Sequence, residues 1–482
     1  MRASVRSWAR FGGRTAGAAA GLALGWWWFY HWRPPTFILT SFRHLPPLAP
    51  FYGFFIPQAG GGAWAAAAVL VAGLAGAALM AGRRTWMFVA YAFLLAATLR
   101  FSVRAARVAE LPGSEFTTYP GEEVIYDAAR IGSPLDFLRD YTALQDNLSL
   151  HGRTKPPGFA LLHYALFLRF GDDLAAVGSA LTILASLIVL PGYFLGRLLR
   201  GRDQDGRACA LLLACLPGSV LFGAVSLDAV FAVVAASAFA LAMLEARRPR
   251  ALTRVALGLV LGLGMMLSYS TFLTGFFVLV LLVGARRRTP SRLAIDLAQI
   301  LAACAAPLLL LYLYPGFDAL ACFGNARRLN ATLMTGIIGR DLAGGEVWRY
   351  ASIGNLLAFL LALGPAIAGF LIPLRGKSHA ASAEAAPPGD PGATSGTGDA
   401  ADLARPAGAA DLSHPAGAAF ALTLLAACAG GLYLMETERT LLFLAAPALL
   451  PAILDADFKP IPAAALCGAQ AIAMELLAHT LW

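Results

Sequence analysis

Apolar stretches of roughly 20 residues, long enough to cross the hydrocarbon core of a bilayer as a helix, follow one another along almost the whole of this sequence. They fall at 14–31, 62–81, 85–103, 174–199, 207–223, 226–245, 253–269, 271–285, 293–314, 350–374, 416–434, 438–454 and 460–481. Backbone groups in hydrocarbon have to bond within their own segment, so each stretch is expected to be a helix. Several are short, and 207–245 and 253–285 are the hardest to divide. The fold class that follows is all-α: a polytopic membrane bundle of about 13 transmembrane helices, with interfacial helices in a loop on its outer face. Only 13% of the residues are charged and 59% are hydrophobic, against about 25% charged in a soluble domain.

The net charge of +9 points to the bilayer rather than to nucleic acid, because arginine and lysine gather in short turns between apolar stretches, as the positive-inside rule requires of cytoplasmic loops. With the N-terminus in the cytoplasm, Arg83-Arg84, the segment Arg197 to Arg207, Arg247 to Arg250, Arg286 to Arg288, and Arg375 with Lys377 all share its side. The other, periplasmic, face then receives 104–173, 315–349 and the short turn from Glu436 to Arg439. The first apolar run follows a basic segment and ends in Trp-Trp-Trp-Phe-Tyr-His-Trp rather than in small residues. It therefore reads as an uncleaved span and not as a signal peptide. The localisation expected is a multi-pass protein of the cell inner membrane.

The six cysteines are scattered and form no Cys-x-x-Cys pair, so neither a disulfide framework nor a zinc site is expected. Residues 376–415 are dominated by Ala, Gly, Pro, Ser and Asp without apolar periodicity and are expected to form a disordered cytoplasmic linker. His379 and His414 within it are incidental.

Against this apolar background, Tyr119 to Tyr164 is a polar passage dense in chemistry. Glu122 and Glu123 follow the turn signal Tyr119-Pro120-Gly121 and open a helical pattern in Val124, Ile125, Ala128, Ala129 and Ile131. Acids in a first helical turn are favoured by the helix dipole, which accounts for them without any chemistry. A second helical piece, Leu135 to Leu150, places Asp136, Asp140 and Asp146 toward water. His151-Gly-Arg153-Thr-Lys155-Pro-Pro-Gly158 is more specific: two cations and a histidine precede a rigid turn at the membrane surface. They suit a phosphate held by charge-assisted hydrogen bonds, or equally a snorkelling contact with lipid headgroups. The stretch Gly158 to Phe170 is too short to span and starts after two prolines, so it reads as an interfacial helix returning to the outer face at Gly171-Asp172-Asp173.

Two more outer junctions carry acids. Asp228 in Leu-Asp-Ala-Val-Phe-Ala either caps the helix 229–245 or is paired beside a wet cavity. Glu436, Glu438 and Arg439 in Glu-Thr-Glu-Arg-Thr-Leu-Leu-Phe-Leu have each other as the simplest partners.

Taken together, the acidic pair opening the outer loop, the short interfacial helices, the His-x-Arg-Thr-Lys-Pro-Pro-Gly turn, the Leu-Asp-Ala-Val-Phe-Ala junction and the outer Glu-x-Glu-Arg-Thr-Leu-Leu-Phe-Leu resemble the GT-C superfamily of integral-membrane glycosyltransferases. Within it, the chain is similar to the aminoarabinose transferase that modifies lipid A, to the protein O-mannosyltransferases, and to bacterial members with a His-x-Arg-Thr-His-Pro-Pro-Gly turn. The resemblance covers roughly 85–374 and, more weakly, 430–450. Residues 1–84 look like two helices added ahead of this core, and 416–482 form the C-terminal helices. The resemblance implies transfer of a sugar from a polyprenyl-phosphate donor, with inversion, to an acceptor it does not identify. The family's first-loop acid falls on Glu122 or Glu123, with Asp127 one helical turn further on as the fallback. The family usually has Asp there, so this chain departs from the pattern. The junction aspartate falls on Asp228 and the interfacial Lys-Pro on Lys155-Pro156. His151, Arg153, Lys155, Asp228, Glu438 and Arg439 are the implied substrate-binding set. The implied partners are the lipid bilayer and the lipid-linked sugar. No His/Cys cluster demands a metal, so no cofactor is expected. A transporter or flippase of a lipid-linked or polar substrate is the alternative; it predicts charges inside spans and helices broken near mid-membrane.

Overall fold

The computed structural model of the chain describes residues 2–31, 53–58, 60–107, 123–224, 226–285, 289–338, 350–371, 412–429 and 437–480. The first helix, α1 (Arg2–His31), precedes a short strand, β1 (Gly53–Phe55), and two long helices, α2 (Gly62–Met80) and α3 (Thr85–Arg107). The polar passage then folds into four pieces: α4 (Val124–Ala128), α5 (Pro134–Leu144), α6 (Leu150–Thr154) and α7 (Gly158–Phe170). From there the chain builds the bundle proper, with α8 (Leu174–Ser186), α9 (Val189–Arg200), α10 (Asp203–Cys215), α11 (Pro217–Gly223), α12 (Leu227–Arg247), α13 (Ala251–Leu267), α14 (Thr271–Gly284) and α15 (Pro290–Leu313). Helix α16 (Ala319–Ile338) follows, then α17 (Asn355–Leu363) and α18 (Pro365–Ala368). After residues outside the described set come α19 (Ser413–Ala429), α20 (Thr437–Thr440), α21 (Ala445–Leu454), α22 (Pro460–Leu477) and β2 (Ala478–Thr480).

Among the described residues six helices are long and apolar enough to cross a membrane, seven when the bent pair α10–α11 is taken as one span. The apolar stretches of the sequence reappear as helices at nearly their expected places, but many are shorter than a full crossing. Their ends are set by local chemistry. Leu216 is extended ahead of Pro217, as a residue before proline prefers, and α10 and α11 bend there by 52°. Ser268 is extended between α13 and α14. Gly364, with φ 83°, separates α17 from α18. This positive φ is a conformation that glycine adopts without cost.

Several features differ from expectation. The helical piece expected over Leu135 to Leu150 ends at Leu144, with a new helix from Leu150, and α16 fills 319–338 within the stretch 315–349 that carries no apolar run. Helix α19 starts at Ser413, inside the stretch read as linker, because Leu412 and Ala416 are buried. The last apolar run stops at Leu477 rather than 481, since residues 478–480 leave the helix to pair with β1 in antiparallel register, Gly53 opposite Thr480. The rest of the linker and the arginines at 286–288 lie outside the described residues.

Contacts between chain segments define two ends. At one end the guanidinium of Arg207 donates to the carbonyls of Met80, Ala81 and Arg83. There Arg247 reaches Leu199 O at 2.8 Å, and Arg14 reaches Gly369 O at 2.9 Å and Asp455 at 2.5 Å. Two of the basic turns, at Arg207 and Arg247, thus meet here, each capping carbonyls of a neighbouring turn. At the other end stand α4–α7, the start of α12 and α20. Between them lies a core of Phe222, Phe231, Phe239, Phe277, Phe359 and Phe443, all at most 2% exposed. Helices α13 and α15 touch backbone to backbone: a Cβ on Gly258 would strike Ile300 O, and one on Gly262 would press on Cys304 O and Pro307. Small residues at this spacing are the usual means of close helix approach in membranes.

Candidate functional site

The site is assembled at the end of the bundle where α12 begins. Ser226 caps α12, its Oγ accepting from the Asp228 N–H at 3.1 Å. The cap is therefore the serine, and the Asp228 carboxylate, 6% exposed as a residue, is left for other partners. Lys155 Nζ lies 3.4 Å from its Oδ1, and Arg439 Nε lies 3.0 Å from its Oδ2. Both cations approach from distant parts of the chain. Lys155 follows α6 directly, extended ahead of Pro156 with φ −117° and ψ 163°, and its ammonium stands 5.5 Å from the Phe159 ring. Arg439 comes from α20 and is 6% exposed. It therefore turns to Asp228, an arrangement the sequence reading did not foresee.

The Lys155 side chain retains 19% of its exposure. Among the described residues it makes one hydrogen bond, so two of its three N–H donors remain for another group. His151 is half-buried on α6. Burial first, then the positive charges of Arg439 and Lys155, hold its pKa well below the usual 6.5, with Asp228 pulling weakly the other way. The imidazole is neutral at pH 7. Arg153, also on α6, is half-buried, and its Nε has no hydrogen-bond partner among the described residues. The arrangement is one that can hold an anionic group against two cations at a half-dry surface, with a neutral imidazole beside it.

The acids of the loop are placed differently from one another. Glu122 lies outside the described residues. Glu123 is half-buried at the N-terminal edge of α4. Asp127 is 2% exposed and both of its oxygens are engaged by Ser149, Oδ1 by the backbone N–H at 2.8 Å and Oδ2 by the hydroxyl at 2.5 Å. Burial, the largest influence, raises its pKa, and the Ser149 bonds and nearby Arg130 and Arg153 only partly oppose this. Asp136, Asp140 and Asp146 face water as expected, Asp136 on Arg139 at 2.8 Å and Asp146 on Arg328 at 2.9 Å. For Glu438 only the helical backbone of α20 is described, and Glu436 lies outside the described residues.

The local folding of α6 explains why the cations sit where they do. Ser149 caps it, accepting from Gly152 N at 3.0 Å. Tyr141, on α5 and 1% exposed, brings its hydroxyl within 3.0 Å of Gly152 O and 2.9 Å of Lys155 O. Helix α16 covers this region through Gln145 Nε2 on Cys322 O at 3.3 Å and Asn325 Nδ2 on Thr142 O at 3.2 Å. The serine cap was readable as Ser-x-x-Gly before the motif. Nothing in the sequence singled out Tyr141.

A buried cation and a crevice lie away from this site. Arg100, 1% exposed, donates to Ser219 O at 2.9 Å, Ser219 Oγ at 2.7 Å and Ser186 Oγ at 2.5 Å. A crevice of about 490 Å³ between α1, α18 and α22, lined mainly by apolar side chains with Thr15 and Gln470, shares no residue with the Asp228 cluster. Among the described residues no group of His, Cys, Asp and Glu with the makings of a metal site comes together. No protein-family model, no curated protein and no solved structure matches the chain.

Proposed function

We propose that the chain is an integral-membrane glycosyltransferase of the GT-C type, with about 13 crossings, that moves a sugar from a polyprenyl-phosphate donor to an acceptor at the outer, periplasmic, face of the inner membrane. The observation that supports this most is the convergence of Lys155 and Arg439 on Asp228 beside His151, at the same end of an apolar bundle as Glu123 at the start of α4. In this reading Glu122, or Glu123 next to it, takes the proton from the acceptor hydroxyl. The freed oxygen attacks the anomeric carbon from the face opposite the phosphate. The carbon–oxygen bond to the phosphate breaks, its electron pair leaves with the polyprenyl phosphate, and the configuration inverts. Lys155 and Arg439 stabilise the charge growing on that phosphate, while Asp228 holds both cations in place before the donor arrives. Arg153, His151 and Glu438 complete the surroundings of the headgroup, and the helices adjoining α7 receive the apolar tail.

The test is incubation of the purified chain in lipid nanodiscs with radiolabelled polyprenyl-phosphate sugar. Transfer, or slow release of free sugar from the donor, is expected. It should be abolished by Glu122→Ala, by Glu123→Ala, or by the double substitution. Full turnover in all three variants would refute the assignment of the base, and inert donors throughout would refute the enzyme.

A transporter or flippase is the second reading, and two features favour it: a cation, Arg100, buried inside α3, and the 52° break between α10 and α11. Arg100 bonds directly to Ser219 just past that break. Vesicles carrying a fluorescent polyprenyl-phosphate analogue separate the two. Redistribution of the analogue across the bilayer without chemical change supports transport, and its conversion to polyprenyl phosphate supports transfer.

A further inference from the structure

Asp127 was the fallback base of the loop, yet its surroundings are those of a fastener. Both carboxylate oxygens are committed to one residue, Ser149. That serine caps α6 and takes the Gly152 N–H on the same hydroxyl oxygen. The fit leaves no slack, since a Cβ on Gly152 would collide with the Asp127 carboxylate and the Ser149 hydroxyl. At the other end of α6, Tyr141 reaches the carbonyls of Gly152 and Lys155. A five-residue helix makes too few internal bonds to hold itself in place, so the position of α6 depends on these two attachments. The residue that emerges from it is Lys155, whose ammonium faces Asp228. Asp127 also belongs to α4, the short helix that begins directly after Glu123.

We infer that Asp127 is a positioning residue: through Ser149 it ties α4 to α6, and so sets the Lys155 ammonium opposite Asp228 at a fixed distance from the Glu123 end of the loop. Tyr141 completes the same device from the far side of α6. The consequence for catalysis rests on the glycosyltransferase reading, but the positioning itself does not. It can be measured without any donor.

The chain has only three lysines, Lys155, Lys377 and Lys459. Competitive acetylation of the nanodisc-embedded protein, read by mass spectrometry, therefore reports Lys155 against Lys459 at the opposite end of the bundle. Asp127→Ala is expected to raise the Lys155 rate roughly fivefold or more, the local opening that loss of a buried hydrogen bond permits. Asp127→Asn, which keeps an acceptor for the Ser149 N–H, is expected to stay within about twofold of the native protein. Ser149→Ala carries the same test should Asp127→Ala fail to fold, with the same increase expected. An unchanged Lys155 rate in the folded Ala variant would overturn the inference. So would an Asp127→Asn protein whose Lys155 is fully protected but whose sugar transfer is abolished, since that is the behaviour of a base. If the native protein transfers no sugar and Asp127→Ala still unmasks Lys155, the glycosyltransferase reading fails and the positioning role stands.

Discussion

Helix α12 carries one buried carboxylate at each end, and the two are held in opposite ways. At its C-terminal end Glu245, 0% exposed, accepts from Arg254 Nη1 at 2.9 Å and from the Arg250 N–H at 2.9 Å. Arg254 in turn meets Asp296 at 3.0 Å and Gln299 at 2.6 Å. These partners come from the next turns and helices of the same run, α12, α13 and α15, and the two carboxylates and Arg254 are buried, with the exposed Arg292 reaching Asp296 at 3.6 Å from the rim. At the N-terminal end Asp228 gathers Lys155 from 73 residues upstream and Arg439 from the last part of the chain. Here Lys155 keeps some exposure and spare donors. The first cluster has the features of a lock between adjacent helices. The second is drawn together from three distant segments and stays partly open at Lys155. Burial of charge is common to both; what distinguishes the Asp228 cluster is a lysine that keeps part of its exposure and donors beyond the one given to Asp228.

That contrast can be broken experimentally. The largest effect on folding is expected for Arg254→Met, which removes the buried cation that Glu245 and Asp296 share and leaves Asp296 the more distant, exposed Arg292. The loss should be about 3–5 kcal/mol, seen as a collapse of yield and of the unfolding temperature in detergent. A variant as stable as the native protein would show that the Glu245 cluster is no lock. At the other end, Lys155→Ala or Arg439→Ala leaves Asp228 one cation. The expected outcome is a smaller stability change with a fall in sugar transfer of about 10²- to 10³-fold. Equal losses of stability at both ends would erase the distinction.

Gly223→Ala examines a third kind of buried charge, one held by neutral groups. Its methyl would drive into the Arg100 guanidinium, and a cost of about 1–3 kcal/mol is expected from overpacking, measured by thermal unfolding. The smallest effect is a pH dependence confined to the Asp228 end. Because His151 is held neutral in the folded chain, the unfolded chain binds its proton first on acidification. Stability should therefore fall as the pH drops below 6.5, by at most about 1.4 kcal/mol per unit. His151→Gln should flatten that part of the profile. If the native and His151→Gln profiles superimpose, the histidine is not held neutral.

Much of the architecture was legible in advance because one physical requirement, pairing backbone groups without water, ties apolar length to helix. The longer apolar helices fall close to the apolar stretches, and α7 occupies Gly158–Phe170 as read from the two prolines before it, whereas α16, over 319–338, lies in a stretch with no apolar run and was not foreseen. What the length criterion missed is where serine, glycine and proline divide a run. The site was legible by residue type and not by pairing. Lys155 and Asp228 were singled out separately, each with an ordinary explanation: lipid headgroups for one, a helix cap for the other. Their meeting, and the approach of Arg439 to Asp228, are long-range contacts that no local pattern carries. Asp127 is the converse case, a residue whose type suggested chemistry and whose bonds show fastening.

The sequence by itself determined that this chain is helical and apolar enough for a bilayer, and that one polar passage stands apart. Those properties depend on composition and short spacing, which a linear string states directly. Only the tertiary structure decided which of the scattered charges touch. A buried carboxylate must find its cations wherever the packing of the helices brings them, and for Asp228 that is from both sides of the chain.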